Sequence, residues 1–146
     1  MLKHSRTVAV CVVSLALVYL ASGCATLKGG PSDEELLGKL LETYMTAMKE
    51  GDADALIALY SKNYESPRGG DYEETTERLR EFIPRLADYD VNISADEAKV
   101  EVDGSKANVG PINFDAGGRA WSTTLVTTKE EDGCWRITST EFQRGG

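Results

Sequence analysis

The sequence predicts an α+β domain: three N-terminal helices packed on a curved antiparallel sheet, with a cleavable segment in front. Three observations predict it. Residues 32–86 carry apolar side chains at helical spacing behind three Ser/Asp caps, residues 89–142 alternate between strand-like runs and tight-turn dipeptides, and residues 8–20 form an isolated apolar run behind a basic start.

The first 23 residues contain no Asp or Glu but include Lys3, His4 and Arg6, the charged start of a secretory signal. Residues 8–20 then span about 20 Å as a helix, short of the roughly 30 Å hydrocarbon core. The run closes on Leu20-Ala21-Ser22-Gly23-Cys24, small residues that suit a signal peptidase. This stretch resembles the lipobox of bacterial lipoproteins, with Ala21 where Leu is commonest. The resemblance implies that Cys24 is lipidated and becomes the mature N-terminus. Ala25, where an Asp would favour inner-membrane retention, implies the outer membrane, with the protein in the cell envelope facing the periplasm. Two or three acyl chains at about 0.8 kcal/mol per buried methylene hold a protein on a bilayer, so the expected partner is the membrane itself. The expected organisation is signal peptide 1–23, lipidated Cys24 and a Gly/Pro tether to residue 31, and one domain over 32–146.

Composition excludes several classes. The 146 residues carry a net charge of −8, which becomes −10 once Lys3 and Arg6 are removed. Such a chain repels nucleic acid and anionic head groups, and no basic cluster offsets this. The only histidine, His4, lies in the removed segment. The mature domain therefore has no imidazole base, no Ser-His or Cys-His nucleophile and no His-based metal site. Of the three cysteines, Cys11 and Cys24 precede the domain. Cys134 is expected to be a small buried hydrophobe without an intramolecular disulfide. About 115 mature residues suffice for one core without such staples. No feature calls for a metal or a cofactor. Asp88, Asp90, Asp96 and Glu97 lack calcium-loop spacing and read as a charged face.

Within the domain, Ser32 and Glu35 have capping-box spacing. Leu37, Leu41, Tyr44, Met45 and Met48 recur at helical intervals, and Leu36 and Leu40 widen the stripe. Gly51 ends this helix by tolerating the left-handed conformation, and Asp52 caps a second helix expected to reach Tyr60, burying Ala53, Leu56, Ile57 and Tyr60. After the Ser66-Pro67-Arg68-Gly69-Gly70 loop, Asp71 and Glu74 open a third helix with Leu79, Phe82, Ile83 and Leu86 apolar. Pro84 should kink or finish it. Strands follow: Val91-Asn92-Ile93, then Val100-Glu101-Val102, then a hairpin at Asp103-Gly104. The next strand should be interrupted at Gly110-Pro111, and a Thr-rich strand covers 119–128. The last runs from Cys134 to Phe142.

Tyr44-Met45-Thr46-Ala47-Met48-Lys49-Glu50-Gly51-Asp52, followed by Leu56 and Leu59-Tyr60, resembles the helical opening of the nuclear transport factor 2-like (NTF2-like) superfamily. Glu131-Asp132-Gly133-Cys134-Trp135-Arg136-Ile137 resembles its final turn and strand. The resemblance brackets residues 32–142 and implies a cone-shaped fold with a pocket between helices and concave sheet. The fold serves enzymes, binding proteins and assembly modules, so activity must be argued from the site. Compared with ketosteroid isomerases, Tyr44 occupies the oxyanion-donor position seven residues before Gly51. The base position is Ser66 before Pro67, and a hydroxyl cannot replace that carboxylate near neutral pH. Residues 119–128 contain no acid to match the third catalytic group. SnoaL-like cyclases lean on Asp and His, and no His survives here.

The pocket candidates are Tyr44, Tyr60, Trp121, Ser139 and Glu141. Simple alternation from Trp135 and Ile137 carries Ser139 and Glu141 to the inner face, where burial would raise the Glu141 pKa and suit it to acid-base work. Three functions stay open: a non-catalytic pocket that binds a small, partly apolar ligand or partner segment; an isomerase- or cyclase-type enzyme using Glu141 with Tyr44; and a module that homodimerises through its outer sheet face.

Overall fold

Local capping rules set the helices. The computed structural model describes residues 30–145, so the signal segment, Cys24 and most of the tether lie outside them. Helix α1 (Asp33–Glu50) starts at Ser32, whose Oγ accepts the Glu35 N–H at 3.2 Å while Glu35 Oε2 accepts the Ser32 N–H at 2.9 Å. It stops at Gly51, at φ +69°, a conformation that favours glycine. Helix α2 (Ala53–Ile57) begins with Asp52 Oδ1 accepting the Ala55 N–H at 3.0 Å. Helix α3 (Tyr72–Leu86) is capped by Asp71 and ends two residues after Pro84.

Helix α2 is shorter than the expected run to Tyr60. The Leu59 carbonyl accepts the Ile137 N–H at 2.9 Å, and the Ser61 N–H donates to the Ile137 carbonyl at 2.9 Å. Pairing with the last strand thus takes the backbone at Tyr60 out of the helix, in a parallel bridge to Ile137.

The strands are β1 (Val91–Ser94), β2 (Lys99–Asp103), β3 (Lys106–Ala116), β4 (Arg119–Lys129) and β5 (Trp135–Arg144), all antiparallel in one sheet. The order is β1-β3-β4-β5, and β2 shares the β3 edge with β1: β2 pairs with residues 106–110 and β1 with 113–116. Between those halves the β3–β4 register shifts at Gly110-Pro111. A Cβ on Gly110 would lie 2.9 Å from the Thr124 Cα, so the interruption requires glycine there.

A second register shift separates Thr127↔Ile137 from Val126↔Ser139. Thr138 is the extra residue of this bulge, and it reverses which side chains of β5 face inward. Trp135 and Ile137 are inside before it, and Thr140 is buried after it. The core joins Leu37, Leu40 and Tyr44 of α1 and Ile83 and Leu86 of α3 to the concave sheet face. Each fully buried Leu or Ile, such as Leu37 or Ile137, contributes about 1.5–3 kcal/mol.

Candidate functional site

A cavity of about 500 Å³ lies between α1, α3 and the concave sheet face. Its floor is apolar with a few hydroxyls. Tyr44 projects from α1 and Tyr60 from the segment bridged to β5, and both are buried. Neither phenol hydroxyl has a hydrogen-bond partner among the described residues. Burial raises both pKa values well above the ordinary tyrosine value, and the neighbouring phenols raise them further. At neutral pH they stay protonated. Tyr64 packs edge-on against Tyr60, with ring centroids 4.9 Å apart, and shares a 2.9 Å hydrogen bond with Thr140 Oγ1. On the α3 wall, Thr75 Oγ1 is the single buried side-chain polar atom among the described residues with no partner.

The rim differs in character. Arg68, Arg78 and Arg85 stand there with Glu81, all exposed. Phe82 and Phe142 also line it, 51% and 46% exposed. The Arg68 guanidinium lies 4.8 Å from the centroid of the Phe142 ring. Arg78 approaches Glu74 at 3.8 Å, and both side chains are largely exposed, a pair of little energetic weight. Trp121 stacks on Phe114, centroids 5.3 Å apart and planes 1° apart, between floor and rim.

The sequence-derived candidates divide. Tyr44, Tyr60 and Trp121 line the cavity. Ser139 and Glu141 do not, and the expectation that alternation brings them inside is corrected. The bulge at Thr138 puts Thr140 and Phe142 inward and sends Ser139 and Glu141 to the convex face. There the Ser139 hydroxyl donates to the Glu65 carbonyl at 3.0 Å, and Glu141 is exposed opposite Thr124. Ser66, at the isomerase base position, does line the cavity, with its Oγ accepting the Arg68 N–H at 3.3 Å. Cys134 is corrected too: it is half-buried rather than a fully buried small hydrophobe.

Sequence reasoning missed Tyr64, Thr75, Thr140 and the rim arginines. One signal was available: Arg78, Phe82 and Arg85 lie at i, i+4 and i+7, one face of α3. Among the described residues no carboxylate, imidazole or thiol lines the buried floor, and Glu81 on the rim is the sole acid along the cavity wall. The floor can offer hydrogen bonds to a neutral oxygen but holds no group suited to take a proton near pH 7. Among the described residues no cluster of His, Cys, Asp or Glu could hold a metal ion, and no helix is long and apolar enough to cross a membrane.

With this geometry in view, comparison with solved structures defines the class of fold. A NTF2-like protein of unknown function from Silicibacter pomeroyi is 23% identical with a TM-score of 0.55, over 75% of this chain and 93% of that one. A Streptomyces avermitilis protein, provisionally called a dehydratase of the NTF2-like family, is 18% identical with a TM-score of 0.61, over 78% and 96%. Bdellovibrio bacteriovorus Bd1075 gives 12% identity and a TM-score of 0.61 over 75% of this chain, which spans only 40% of that longer protein. The domain has the NTF2-like α+β fold. No family model matches the sequence, and no curated protein matches it.

Proposed function

We propose that this is a lipid-anchored envelope protein whose cavity binds a small, partly apolar molecule without transforming it. The observation that carries the reading is the cavity floor: the buried Thr75 Oγ1 has no partner among the described residues, the Tyr44 and Tyr60 hydroxyls face the cavity, and no buried acid or imidazole stands beside them. Unpaired buried polar groups cost folding free energy, and a ligand oxygen would recover it. The enzyme reading loses its base, because Glu141 stands on the convex face. The outer-face dimer reading gains no support from that face, which is polar around Asn108, Thr124, Ser139 and Glu141.

The anchor rests on the lipobox-like stretch ending at Cys24. The tether meets α1 at Asp33, whose Oδ1 accepts hydrogen bonds from Lys129 Nζ at 2.8 Å and Trp135 Nε1 at 2.9 Å. Lys129 and Trp135 are paired at one end of β4 and β5, while Trp121 and Arg144 are paired at the other end, beside the cavity rim. Eight residues of strand, about 26 Å, separate the two ends.

Native mass spectrometry of the full-length protein, released gently from its own membrane, tests both parts. Expected are a mass increment for acyl chains on Cys24 and a stoichiometric small-molecule adduct. Loss of membrane association in Cys24→Ala supports the anchor, and unchanged association overturns it. A ligand-free dimer would favour the interaction module over the binder.

A further inference from the structure

The cavity and its rim differ in the chemistry they can satisfy, and the difference specifies a ligand. On the floor the hydrogen-bonding groups are neutral, and three of them have no partner among the described residues: the hydroxyls of Tyr44, Tyr60 and Thr75. At the rim the charge is cationic, three arginines against Glu81, on a chain whose net charge is −8. Neither Arg68 nor Arg85 forms an ion pair among the described residues, and Arg78, which donates to the Glu74 and Gly69 carbonyls, has a carboxylate only at 3.8 Å, on the exposed Glu74. By contrast Arg136, at the far end of the sheet, is held by both Glu130 and Asp132. The rim thus concentrates guanidinium groups without neutralising them, in a protein otherwise dominated by acids. Between rim and floor the wall is apolar and aromatic: Phe82, Phe142, Trp121 and Phe114.

We propose that the cavity takes an elongated monoanionic amphiphile, a carboxylate with an apolar body and a neutral oxygen at its far end. The carboxylate sits among Arg68, Arg78 and Arg85, the body lies along the aromatic wall, and the hydroxyl or carbonyl oxygen reaches the floor. This rests on the pocket-binding reading above and sharpens it to a ligand class. Guanidinium groups match carboxylates through paired N–H donors and lose less hydration than an ammonium would. The phenols and Thr75 provide both donors and acceptors, so a ligand hydroxyl and a ligand carbonyl are each accommodated. A cavity of about 500 Å³ lies inside the roughly 300–1,000 Å³ range that holds molecules of drug size. The arginines are exposed and the floor is buried, which fixes the orientation: anion out, neutral oxygen in.

Four eight-carbon probes separate the parts: 8-hydroxyoctanoate has both ends, octanoate only the anion, 1,8-octanediol only neutral oxygens, and 1-octanol one neutral oxygen. Each is titrated against the full-length chain in phosphatidylcholine vesicles, with tryptophan fluorescence as the readout and empty vesicles as the blank. Trp121 on the cavity wall reports occupancy. The expected order is 8-hydroxyoctanoate tightest, octanoate and 1,8-octanediol each at least about tenfold weaker, and 1-octanol weakest. Arg68→Gln combined with Arg85→Gln should weaken both acids at least about tenfold and leave the diol unchanged. Tyr60→Phe should bring the hydroxy acid down to octanoate. Equal binding of all four overturns the ligand class and leaves the pocket reading intact. Absence of binding for all four, 1-octanol included, overturns both.

Discussion

The two ends of the sheet handle polar groups in opposite ways. At the end formed by Lys129 and Trp135, the side chains are joined to one another. Asp33 accepts from Lys129 and Trp135, Ser61 donates to Glu130, and Arg136 binds Glu130 and makes two bonds to Asp132. At the end formed by Trp121 and Arg144, the buried Thr75 hydroxyl has no partner among the described residues, Arg68 and Arg85 lack carboxylates there, and two phenylalanines are about half exposed. Partnered groups contribute to stability, and unpartnered ones subtract from it unless something binds. The same strands thus carry a structural end and a receptive end, and each prediction below sets one against the other.

The largest effect belongs to the structural end. Ile137 has no exposed surface and ties β5 to the Tyr60 segment, so Ile137→Ala should cost about 2–5 kcal/mol in urea unfolding. Phe82→Ala at the rim should change stability by no more than about 0.5 kcal/mol while weakening ligand binding. Similar losses from both substitutions would break the contrast.

Asp33 gives the next effect. Hydrogen bonds from Lys129 and then Trp135 hold its carboxyl below the ordinary value of 3.8. A depressed folded pKa contributes stability that is fully present above the unfolded value and lost as pH falls through the folded one. The Asp33→Ala deficit, about 1 kcal/mol given the partial exposure of both partners, should therefore be constant from pH 5 to 8 and shrink below about pH 4. Melting temperatures of both proteins across that range check it. The neighbouring Asp132, brought down to about 2 chiefly by Arg136, stays charged through most of the same window.

The buried phenols reverse the sign. Burial raises the folded pKa of Tyr44 and Tyr60, so their contribution is intact below the unfolded value of about 10 and lost as pH rises through the folded values. Tyr60→Phe should remove part of this alkaline destabilisation and, by deleting an unpartnered hydroxyl, change neutral-pH stability by less than about 1 kcal/mol. Ligand affinity, in contrast, should fall. A drop in neutral stability much beyond that would mean the hydroxyl already has a structural partner.

The structural end was largely legible in the sequence because its signals are local. Ser32 with Glu35, Asp52 after Gly51, and Asp71 each announce a helix start through a bond spanning three residues. Gly110 marks its own register shift, since only a residue without Cβ fits against Thr124. The receptive end was legible in Tyr44, Tyr60 and Trp121, which fall on apolar stripes. It was illegible in β5, because nothing about Thr138 as a residue announces a bulge. Its surroundings are tertiary: the Glu65 N–H donates to the Thr138 carbonyl at 3.1 Å, and the Thr138 hydroxyl meets Thr128 Oγ1 at 3.1 Å. Period-two reading fails downstream of an insertion that long-range contacts surround.

Glu141 turns that failure into the smallest and sharpest prediction. If alternation held through β5, Glu141 would be a buried acid in the cavity, and Glu141→Gln would alter ligand affinity and its pH dependence. With the extra residue at Thr138, Glu141 stands on the convex face opposite Thr124, and Thr140 takes the inner position with its hydroxyl on Tyr64. Glu141→Gln should then leave affinity unchanged from pH 5 to 9 and stability within about 0.5 kcal/mol. Thr140→Val, which leaves the Tyr64 hydroxyl without its partner, should cost about 1 kcal/mol and disturb binding, although the two residues are adjacent in sequence. The pair is a direct assay of register: a one-residue slip exchanges the two outcomes, and no change of side-chain chemistry at the other positions can mimic that exchange.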